Sequence, residues 1–400
     1  MARRNGGFIG TDGLDAPDPP TGVAGTAGNA SVSVAFTAPT DAGTSAITGF
    51  VVQVSTNDTA YSAGSNTGTS SPIVVSSLTN DTAATAKVWA INAYGTSAPS
   101  DASASFTPGI LSANRGLFSL GYISDYSNTV DLFDLSSTGN AIDFGDLSVA
   151  RNGSGALASS TRAVFGGGST GSRTNVMDYF TISTTGNATD FGDMNVTKSN
   201  HVGVSNATRG LFGGGTDGSA TNAIEYITIA NTGNGADFGN LSVARALLGG
   251  CSSTTRAIFV GGQTNKNEID YVTIANTGDA TDFGNLSQAR QAVGCSSNTR
   301  GVFFGGYNQT NDSNYNIIDY ITIASTGNAS DFGDLTNASP RTMATSNKIN
   351  GVVQLGSASG NPQVTVEFVV IATTANSSDF GDLSAVGKAS ATSGGHGGLA

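Results

Sequence analysis

The sequence of 400 residues has few of the side chains on which catalysis, metal binding and covalent cross-linking usually depend. It contains two cysteines, two histidines and one tryptophan, and only 12% of its residues are charged. Two cysteines cannot form a disulfide-rich scaffold, and neither a Cys-x-x-Cys motif nor a histidine pair at metal-ligand spacing occurs. No candidate nucleophile is accompanied by a suitable base. The sequence therefore predicts no catalytic residue, no metal site, no cofactor and no enzymatic activity.

Long apolar segments and positive charge are also scarce. No run of 18 apolar residues occurs, so no membrane span is predicted. The first residues include Arg3 and Arg4 but lack the apolar stretch of a secretory signal, so no cleaved leader is predicted. With 17 Lys and Arg against 29 Asp and Glu the net charge is −12, and no basic face for nucleic acid is predicted.

The sequence does contain an internal repeat. The tripeptide Asp-Phe-Gly occurs six times at intervals of 45 to 49 residues. Its copies begin at Asp143, Asp190, Asp237, Asp282, Asp331 and Asp379. A repeat of this length that is rich in β-formers and glycine is typical of a β-propeller blade rather than of a helical solenoid.

Each repeat is predicted to contain four short strands. In the best-preserved copy, apolar runs at 255–262, 268–274 and 281–286 are separated by glycine-rich or polar turns. The preceding run at 246–251 supplies the remaining strand. One antiparallel sheet of this kind cannot bury both faces alone, so the repeats are expected to stack against one another.

The repeat has a fixed order of side chains: a basic residue, a strand ending in Gly-Gly, a variable loop, an acid followed by tyrosine, and an aromatic residue before leucine. The double glycines are Gly166-Gly167, Gly213-Gly214, Gly261-Gly262 and Gly305-Gly306, and the tyrosines are Tyr179, Tyr226, Tyr271 and Tyr320. This order resembles the kelch repeat, with phenylalanine in place of the family's late tryptophan. The resemblance implies a six-bladed kelch-like β-propeller over residues 108–400.

The last residues of the chain align with the start of a repeat. Residues 388–393 match an opening strand, whereas the first repeat has only a weak one around 109–113. We therefore expect the C-terminal segment to fill or reinforce the first blade. An open stack would leave exposed sheet edges, which favours six closed blades.

Residues 19–107 differ in composition from the repeats. Apolar runs at 31–36, 47–54 and 86–94 predict a β-sandwich. Together with the ending Asn92-Ala93-Tyr94-Gly95-Thr96-Ser97-Ala98-Pro99-Ser100, the segment resembles a fibronectin type III module of the bacterial and phage kind. The predicted fold class is thus all-β, with a fibronectin type III-like β-sandwich at 19–107, the propeller at 108–400 and an N-terminal arm at 1–18.

Charged residues recur in register with the repeat. Acids precede or replace the aromatic residue of one strand at Asp131, Asp178, Glu225, Asp270, Asp319 and Glu367. Bases recur at Arg115, Arg162, Arg209, Arg256 and Arg300, and again at Arg151, Lys198, Arg245, Arg290 and Lys388. Together with the aspartates of Asp-Phe-Gly, they are expected to form hydrogen-bonded ties within and between blades. The alternative is a ring of arginines that binds a ligand around the channel.

The two cysteines occupy equivalent places in consecutive repeats. Cys251 and Cys295 each lie five residues before an arginine. Equivalent strands of adjacent blades usually hold such residues too far apart for a disulfide. Both are therefore predicted to be small, buried, unbridged residues.

One variable loop carries a candidate ligand-binding surface. The loops that join the second and third strands of a blade are expected to emerge on the same face as the connections between blades. The loop at 307–316 combines aromatic and amide side chains, which stack on and hydrogen bond to sugars. The candidate contacts are Tyr307, Asn308, Asn311, Asp312, Asn314 and Tyr315. The alternative is a solvated loop without a partner.

The combination of a glycine-rich arm, a fibronectin-like module and a degenerate propeller resembles appendage proteins of tailed bacteriophages, particularly those of marine cyanobacteria. The opening residues Met1 to Pro20 are similar to starts found in that group. The resemblance implies a non-enzymatic virion structural protein, located on the particle surface or tail. Its expected partners are other virion proteins and a host-surface glycan, and its oligomeric state is left open, a homo-oligomer included.

The N-terminal arm is the expected anchor to the particle. Arg3, Arg4, Phe8 and Ile9 are the candidate docking residues, although a short glycine-rich arm can also be a flexible tail. The competing function is an extracellular bacterial lectin or adhesin, against which the missing leader counts.

Overall fold

The computed structural model describes residues 15–121, 125–340, 343–356, 363–385 and 390–399. These residues form antiparallel β-sheets and one short 3-10 helix, so the predicted all-β class is confirmed. The chain divides into two compact units, residues 1–111 and 112–400. The repeat pattern predicts this boundary between residues 107 and 108.

The first unit consists of two small sheets. Its strands are β1 (Thr21–Gly28), β2 (Ser31–Thr37), β3 (Ile47–Ser55), β4 (Gly64–Gly68), β5 (Ile73–Ser76), β6 (Thr85–Asn92) and β7 (Gly95–Thr96). The strand orders are β1-β2-β5 and β4-β3-β6-β7. Alternate residues of the central strands, such as Val34, Val52 and Val88, are fully buried in one shared core.

The end of the predicted arm belongs to this unit. The Thr44 amide donates to the Asp15 carbonyl at 3.1 Å, and the Asp18 amide donates to the Asp41 carbonyl at 3.0 Å. Ala16 is buried. Residues 15–18 therefore pack on the sheets rather than forming part of an arm.

In the part that the structure describes, the second unit contains a 3-10 helix, Ser112–Asn114, and 24 strands. They are β8 (Arg115–Ser119), β9 (Thr129–Asp134), β10 (Ile142–Asp146), β11 (Gly155–Ala158), β12 (Arg162–Gly166), β13 (Val176–Thr181), β14 (Thr189–Asp193), β15 (Val202–Ser205), β16 (Arg209–Gly213), β17 (Ala223–Thr228), β18 (Ala236–Asn240), β19 (Gly249–Ser252), β20 (Arg256–Gly262), β21 (Lys266–Thr273), β22 (Thr281–Asn285), β23 (Val293–Ser296), β24 (Arg300–Asn308), β25 (Ser313–Thr322), β26 (Ser330–Asp334), β27 (Met343–Ser346), β28 (Asn350–Gln354), β29 (Thr365–Val370), β30 (Ser378–Asp382) and β31 (Ser390–Ser393).

These strands form six four-stranded antiparallel sheets. Sheet 1 has the order β10-β9-β8-β31, and sheets 2 to 6 are β11 to β14, β15 to β18, β19 to β22, β23 to β26 and β27 to β30. The last strand of the chain thus completes the first sheet, with Ser390 opposite Ser119 and Ser393 opposite Gly116. The predicted pairing of the C-terminal segment is confirmed over Ser390–Ser393, whereas Lys388 lies outside the described residues. The weak opening strand expected at 109–113 is wrong, because the 3-10 helix occupies the end of that segment.

One edge strand of each sheet, called its inner strand below, packs against the inner strands of the two neighbouring sheets, and these contacts form a complete cycle. The inner strands β11, β15, β19, β23, β27 and β31 each contact the next, and β31 contacts β11. The cores lie between consecutive sheets, as where Leu211 of sheet 3 meets Phe259 of sheet 4. Phe118 of sheet 1 shares a core with Val352 of sheet 6 in the same way.

The Asp-Phe-Gly repeat is explained by a backbone hydrogen bond between neighbouring sheets, called the strap below. Phe283 is buried, and its carbonyl accepts a 2.7 Å hydrogen bond from the Gly327 amide of the next sheet. Gly284 has a φ of +145°, and a Cβ added there would lie 2.4 Å from the Gly327 carbonyl oxygen. The same strap joins the last sheet to the first, where the Gly139 amide donates to the Phe380 carbonyl at 2.8 Å. The motif therefore marks the close approach of two backbones.

We expect Gly284→Ala to destabilise the protein more than Gly278→Ala. Both glycines have positive φ, +145° and +157°, but nothing lies within 4 Å of a Cβ at 278. The clash with the Gly327 oxygen should add about 1–3 kcal/mol to the loss at 284, the range for overpacking. Urea unfolding of both variants measures the difference. Equal losses of unfolding free energy in the two variants would contradict the close approach of the Gly284 and Gly327 backbones.

Candidate functional site

The inner strands end in a series of serine hydrogen bonds. Each serine hydroxyl donates to the carbonyl of the equivalent residue in the preceding sheet. Four of these bonds are 2.7 Å long, from Ser205 to Ala158, from Ser252 to Ser205, from Ser296 to Ser252 and from Ser346 to Ser296. A fifth joins the Ser393 hydroxyl to the Ser346 carbonyl. Ala158 has no hydroxyl and interrupts the series. The sequence signal was available but was missed: apart from Ser393, which ends the last strand of the chain, each of these residues lies four positions before the first residue of the next strand.

The residues after β31 close this end of the space between the inner strands. His396 Nε2 lies 2.8 Å from the Ala158 carbonyl of sheet 2, and Gly397 and Gly398 pack on the carbonyls of Ser297 and Ser205 in sheets 5 and 3. Because this segment contacts sheets 2, 3 and 5, it lies across the axis of the cycle that the inner strands form. A Cβ at Gly397 would be 2.2 Å from the Ser297 oxygen, which explains the Gly-Gly-His-Gly-Gly sequence.

The histidine in this segment is held in one neutral form. The Gly398 amide donates to His396 Nδ1 at 3.1 Å, so Nε2 carries the proton and donates to the Ala158 carbonyl. Burial lowers the pKa of His396 to about 4. The ring is therefore uncharged at neutral pH and acts as a structural tie.

The opposite end of the inner strands opens into a cavity of about 450 Å³, called the axial funnel below. Residues from all six sheets line it, and a narrower cavity of about 130 Å³ continues from it between the inner strands to His396. One lining residue from each sheet in turn is Tyr126, Asn152, Asn200, Leu247, Gln291 and Met343. The funnel therefore lies on the axis of the cycle.

The described wall of the axial funnel consists of amide, hydroxyl and apolar groups. Asn152, Asn200 and Gln291 contribute amides, and Leu247 and Val293 contribute apolar surface. No Asp, Glu, Lys or Arg is among the described residues that line it. Polar side chains, three serines among them, are mixed with apolar ones in the described part of this wall.

One position at the mouth of the funnel has a left-handed backbone in three consecutive sheets. Gly153, Asn200 and Leu247 have φ values of +64°, +57° and +55°. The Asn200 amide donates to the Gly153 carbonyl at 2.7 Å, and the Leu247 amide donates to the Asn200 carbonyl at 2.8 Å. Glycine and asparagine tolerate this conformation, but for leucine it is strained.

His201 forms part of both cavities. It is buried, and its Nε2 accepts from the Gly155 amide at 3.1 Å. Nδ1 has no hydrogen-bond partner among the described residues. Burial, reinforced by the nearby charge of Lys198, lowers the pKa of His201 well below its usual value. The imidazole is therefore a neutral group at the funnel.

The charged residues of the repeat form structural ties, as predicted for most of them. The buried pairs are Arg151–Asp178 at 2.9 Å, Lys198–Glu225 at 3.3 Å, Arg245–Asp270 at 3.0 Å and Arg290–Asp319 at 2.9 Å. The aspartates of Asp-Phe-Gly are instead exposed to solvent, so their predicted part in these ties is wrong.

The second set of arginines stacks on tyrosine and reaches the next sheet. The Arg209 guanidinium lies 4.6 Å from the Tyr226 ring centre and donates to the Ile274 carbonyl at 2.9 Å. Arg162, Arg256 and Arg300 make equivalent contacts. Neither cavity has an arginine in its described lining, so the alternative of an arginine ring around the channel is wrong.

The segment at 307–316, predicted as a loop, is largely a hairpin. β24 runs to Asn308 and β25 begins at Ser313, so only 309–312 form the turn. The Tyr307 hydroxyl donates to Asp312 at 2.7 Å, and the Asn311 amide donates to the Tyr315 hydroxyl at 3.0 Å. The prediction missed this because alternating polar side chains on an extended hairpin look like loop residues.

The six candidate contacts are not equally available on the hairpin. Asn308 is buried, and its side-chain amide donates to the Ala289 carbonyl at 2.8 Å. Asn311, Asp312 and Asn314 are exposed, whereas the tyrosines are half-buried. The backbone amide of Gln291 donates to the Tyr307 carbonyl at 2.9 Å. This bond places the hairpin at the same end of the sheets as the axial funnel. The docking candidates Arg3, Arg4, Phe8 and Ile9 lie outside the described residues.

The cysteines are as predicted. Cys251 of β19 and Cys295 of β23 are buried and unbridged, and burial raises the pKa of both thiols. In the described ranges, no three His, Cys, Asp or Glu side chains are grouped so as to hold a metal ion. Within the same ranges, no helix has the length and apolar composition needed to cross a membrane.

No protein-family model matches this chain, and a search of curated proteins finds no significant match.

Proposed function

We propose that the second unit is a six-bladed kelch-like β-propeller and the first a fibronectin type III-like sandwich. Support for the propeller comes from six four-stranded sheets whose inner strands contact one another in a cycle. The sheets are joined by the Asp-Phe-Gly straps, and the buried pair Arg245–Asp270 ties the connection between two sheets to the second of them. Such a unit is a rigid base for loops that bind a partner.

We propose that this chain is a non-enzymatic structural protein of a tailed-phage virion, which displays the second unit outward to contact a host-surface glycan. The observation that carries the contact is the β24–β25 hairpin beside the axial funnel. Its tyrosines are held by hydrogen bonds to neighbouring side chains, so little side-chain freedom remains to be lost on binding. The virion assignment is supported by the sequence resemblance alone.

Peptide mass spectrometry of density-purified phage particles, with the cleared supernatant as control, tests the virion assignment. Stoichiometric presence on the particles is the expected result. Presence only in the supernatant or on cells would favour an extracellular bacterial lectin or adhesin.

A glycan array tests the hairpin as a contact surface. We expect Tyr307→Ala and Tyr315→Ala each to weaken the strongest glycan signal of the intact protein at least about tenfold, equivalent to about 1.4 kcal/mol. Tyr94→Ala is the matched control, because Tyr94 is an exposed tyrosine of the first unit. Unchanged binding by both hairpin variants would remove these residues from the site.

A further inference from the structure

We propose that residues 395–399, called the plug below, are an acid-released closure: protonation of His396 detaches the plug and opens the cavity between the inner strands at the end opposite the axial funnel. This cavity of about 130 Å³, called the inner cavity below, extends from the funnel to His396. The inference goes beyond the proposed function and does not depend on it.

Several backbone amides of the plug bond within the C-terminal segment itself. The Gly398 amide donates to His396 Nδ1 at 3.1 Å, and the Leu399 amide donates to the His396 carbonyl at 3.0 Å. The Gly395 amide donates to the Ser393 hydroxyl at 3.4 Å. Because these bonds do not reach the other sheets, they do not oppose separation of the plug from them.

Side-chain bonds connect the plug to opposite sides of the cycle. On one side, His396 Nε2 donates to the Ala158 carbonyl of sheet 2 at 2.8 Å and lies 3.2 Å from the Ser205 hydroxyl. On the other side, the side-chain amide of Asn298 in sheet 5, oriented to donate, lies 2.9 Å from the Gly397 carbonyl. A change in the state of the imidazole therefore acts on one of the two sides at which hydrogen bonds hold the plug.

The contacts of His396 suit the neutral ring and oppose the charged one. Nδ1 accepts from the Gly398 amide, so a proton on Nδ1 would place two N–H groups against each other. Burial, reinforced by the charge of Lys348, lowers the pKa of His396 to about 4, from an ordinary value of 6.5. The plug is therefore most stable above about pH 6.5, and this contribution is lost as the pH falls towards 4.

A proton can reach His396, because the residue is half-buried and lines the inner cavity. Lys348, in the turn between β27 and β28, is the charged residue whose field acts on the ring. The other titratable residues in the described lining of the inner cavity are His201, Cys251 and Cys295. Burial raises the pKa of both thiols, which stay neutral in acid. His201 is therefore the residue whose titration has to be separated from that of His396.

Hydrogen–deuterium exchange of the full chain between pH 7 and pH 4 measures release of the plug. Electron-transfer fragmentation of the C-terminal peptide distinguishes the amides of Gly398 and Leu399 from those of β31, and the rates are corrected for the intrinsic effect of pH on exchange. We expect protection of these two amides to fall roughly 100-fold, since each pH unit between the two pKa values favours release tenfold. Strands β16 and β17 should stay protected.

His396→Gln is the specific variant, because a glutamine amide both accepts and donates, as the neutral ring does, but does not titrate. We expect the ratio of plug protection at pH 7 and pH 4 to fall from roughly 100 to about 1, even where protection is lower at both values. His201→Gln is the matched control and should keep the wild-type ratio. Lys348→Met, which retains the histidine, should move the midpoint of release to higher pH.

Four results would overturn the proposal. The first is equal protection of Gly398 and Leu399 at pH 7 and pH 4 in the wild-type chain. The second is loss of protection in all six sheets together with the plug, because acid would then unfold the unit rather than release a closure. The third is a wild-type ratio in His396→Gln or its loss in His201→Gln, which would assign release to another group. The fourth is an unchanged midpoint in Lys348→Met, which decides the question if the glutamine variant has no protected plug at pH 7.

Discussion

A chain that ends at residue 389 is expected to lose the cooperative unfolding transition of the second unit. The deletion removes β31, the inner strand of sheet 1, which pairs with β8 over Ser390–Ser393. It also removes the contacts of β31 with β11 and β27 that complete the cycle. β8 would then present an unpaired edge, which promotes aggregation. Calorimetry and size-exclusion chromatography measure both effects.

The matched control is a chain that ends at residue 393. It keeps β31 and the bond from the Ser393 hydroxyl to the Ser346 carbonyl, but lacks the segment that contains His396. We expect this chain to fold, with a lower melting temperature because the His396 contacts are lost. Equal melting temperatures for the full chain and the chain ending at 389 would contradict closure of sheet 1 by the C-terminal strand.

Asp270→Asn is expected to destabilise the second unit by about 3–5 kcal/mol, the range for removing one partner of a buried ion pair. Asp270 and Arg245 are completely buried, and their side chains meet at 3.0 Å. Asp270 also accepts from the amide and hydroxyl of Ser242, at 3.1 and 2.7 Å. Burial lowers the pKa of Arg245, and the Asp270 charge opposes that shift. Without the carboxylate, the buried guanidinium would keep only the charge of Glu268 nearby as compensation. Urea unfolding measures the loss.

Two further variants make this test specific. Asp282→Asn removes the same charge from an exposed Asp-Phe-Gly motif of the same sheet, and should change stability by less than about 0.5 kcal/mol. Arg245→Met combined with Asp270→Leu removes both charges and should be more stable than Asp270→Asn alone. A loss below about 1 kcal/mol for Asp270→Asn would contradict burial of the pair.

The candidate site was only partly predictable. Sequence patterns indicated that the hairpin and the connections between sheets share one end, and the bond from Gln291 to Tyr307 confirms this. They did not indicate the axial funnel, because its described wall takes between one and four residues from each of six sheets. Leu247 by itself gives no sequence signal, because leucine does not favour a left-handed backbone. Its conformation becomes apparent only when the structure shows that Leu247 is equivalent to Gly153 and Asn200.

Local and repeated features could be deduced from the chain alone. Strand number per repeat and the pairing of acids with bases both follow from side-chain chemistry that recurs at fixed spacing. The funnel, the strained leucine and the segment of His396 across the axis depend on contacts between residues that are far apart in the chain. Those contacts arise only when all six sheets are packed together, because each sheet contributes a small part of a surface that no single repeat contains.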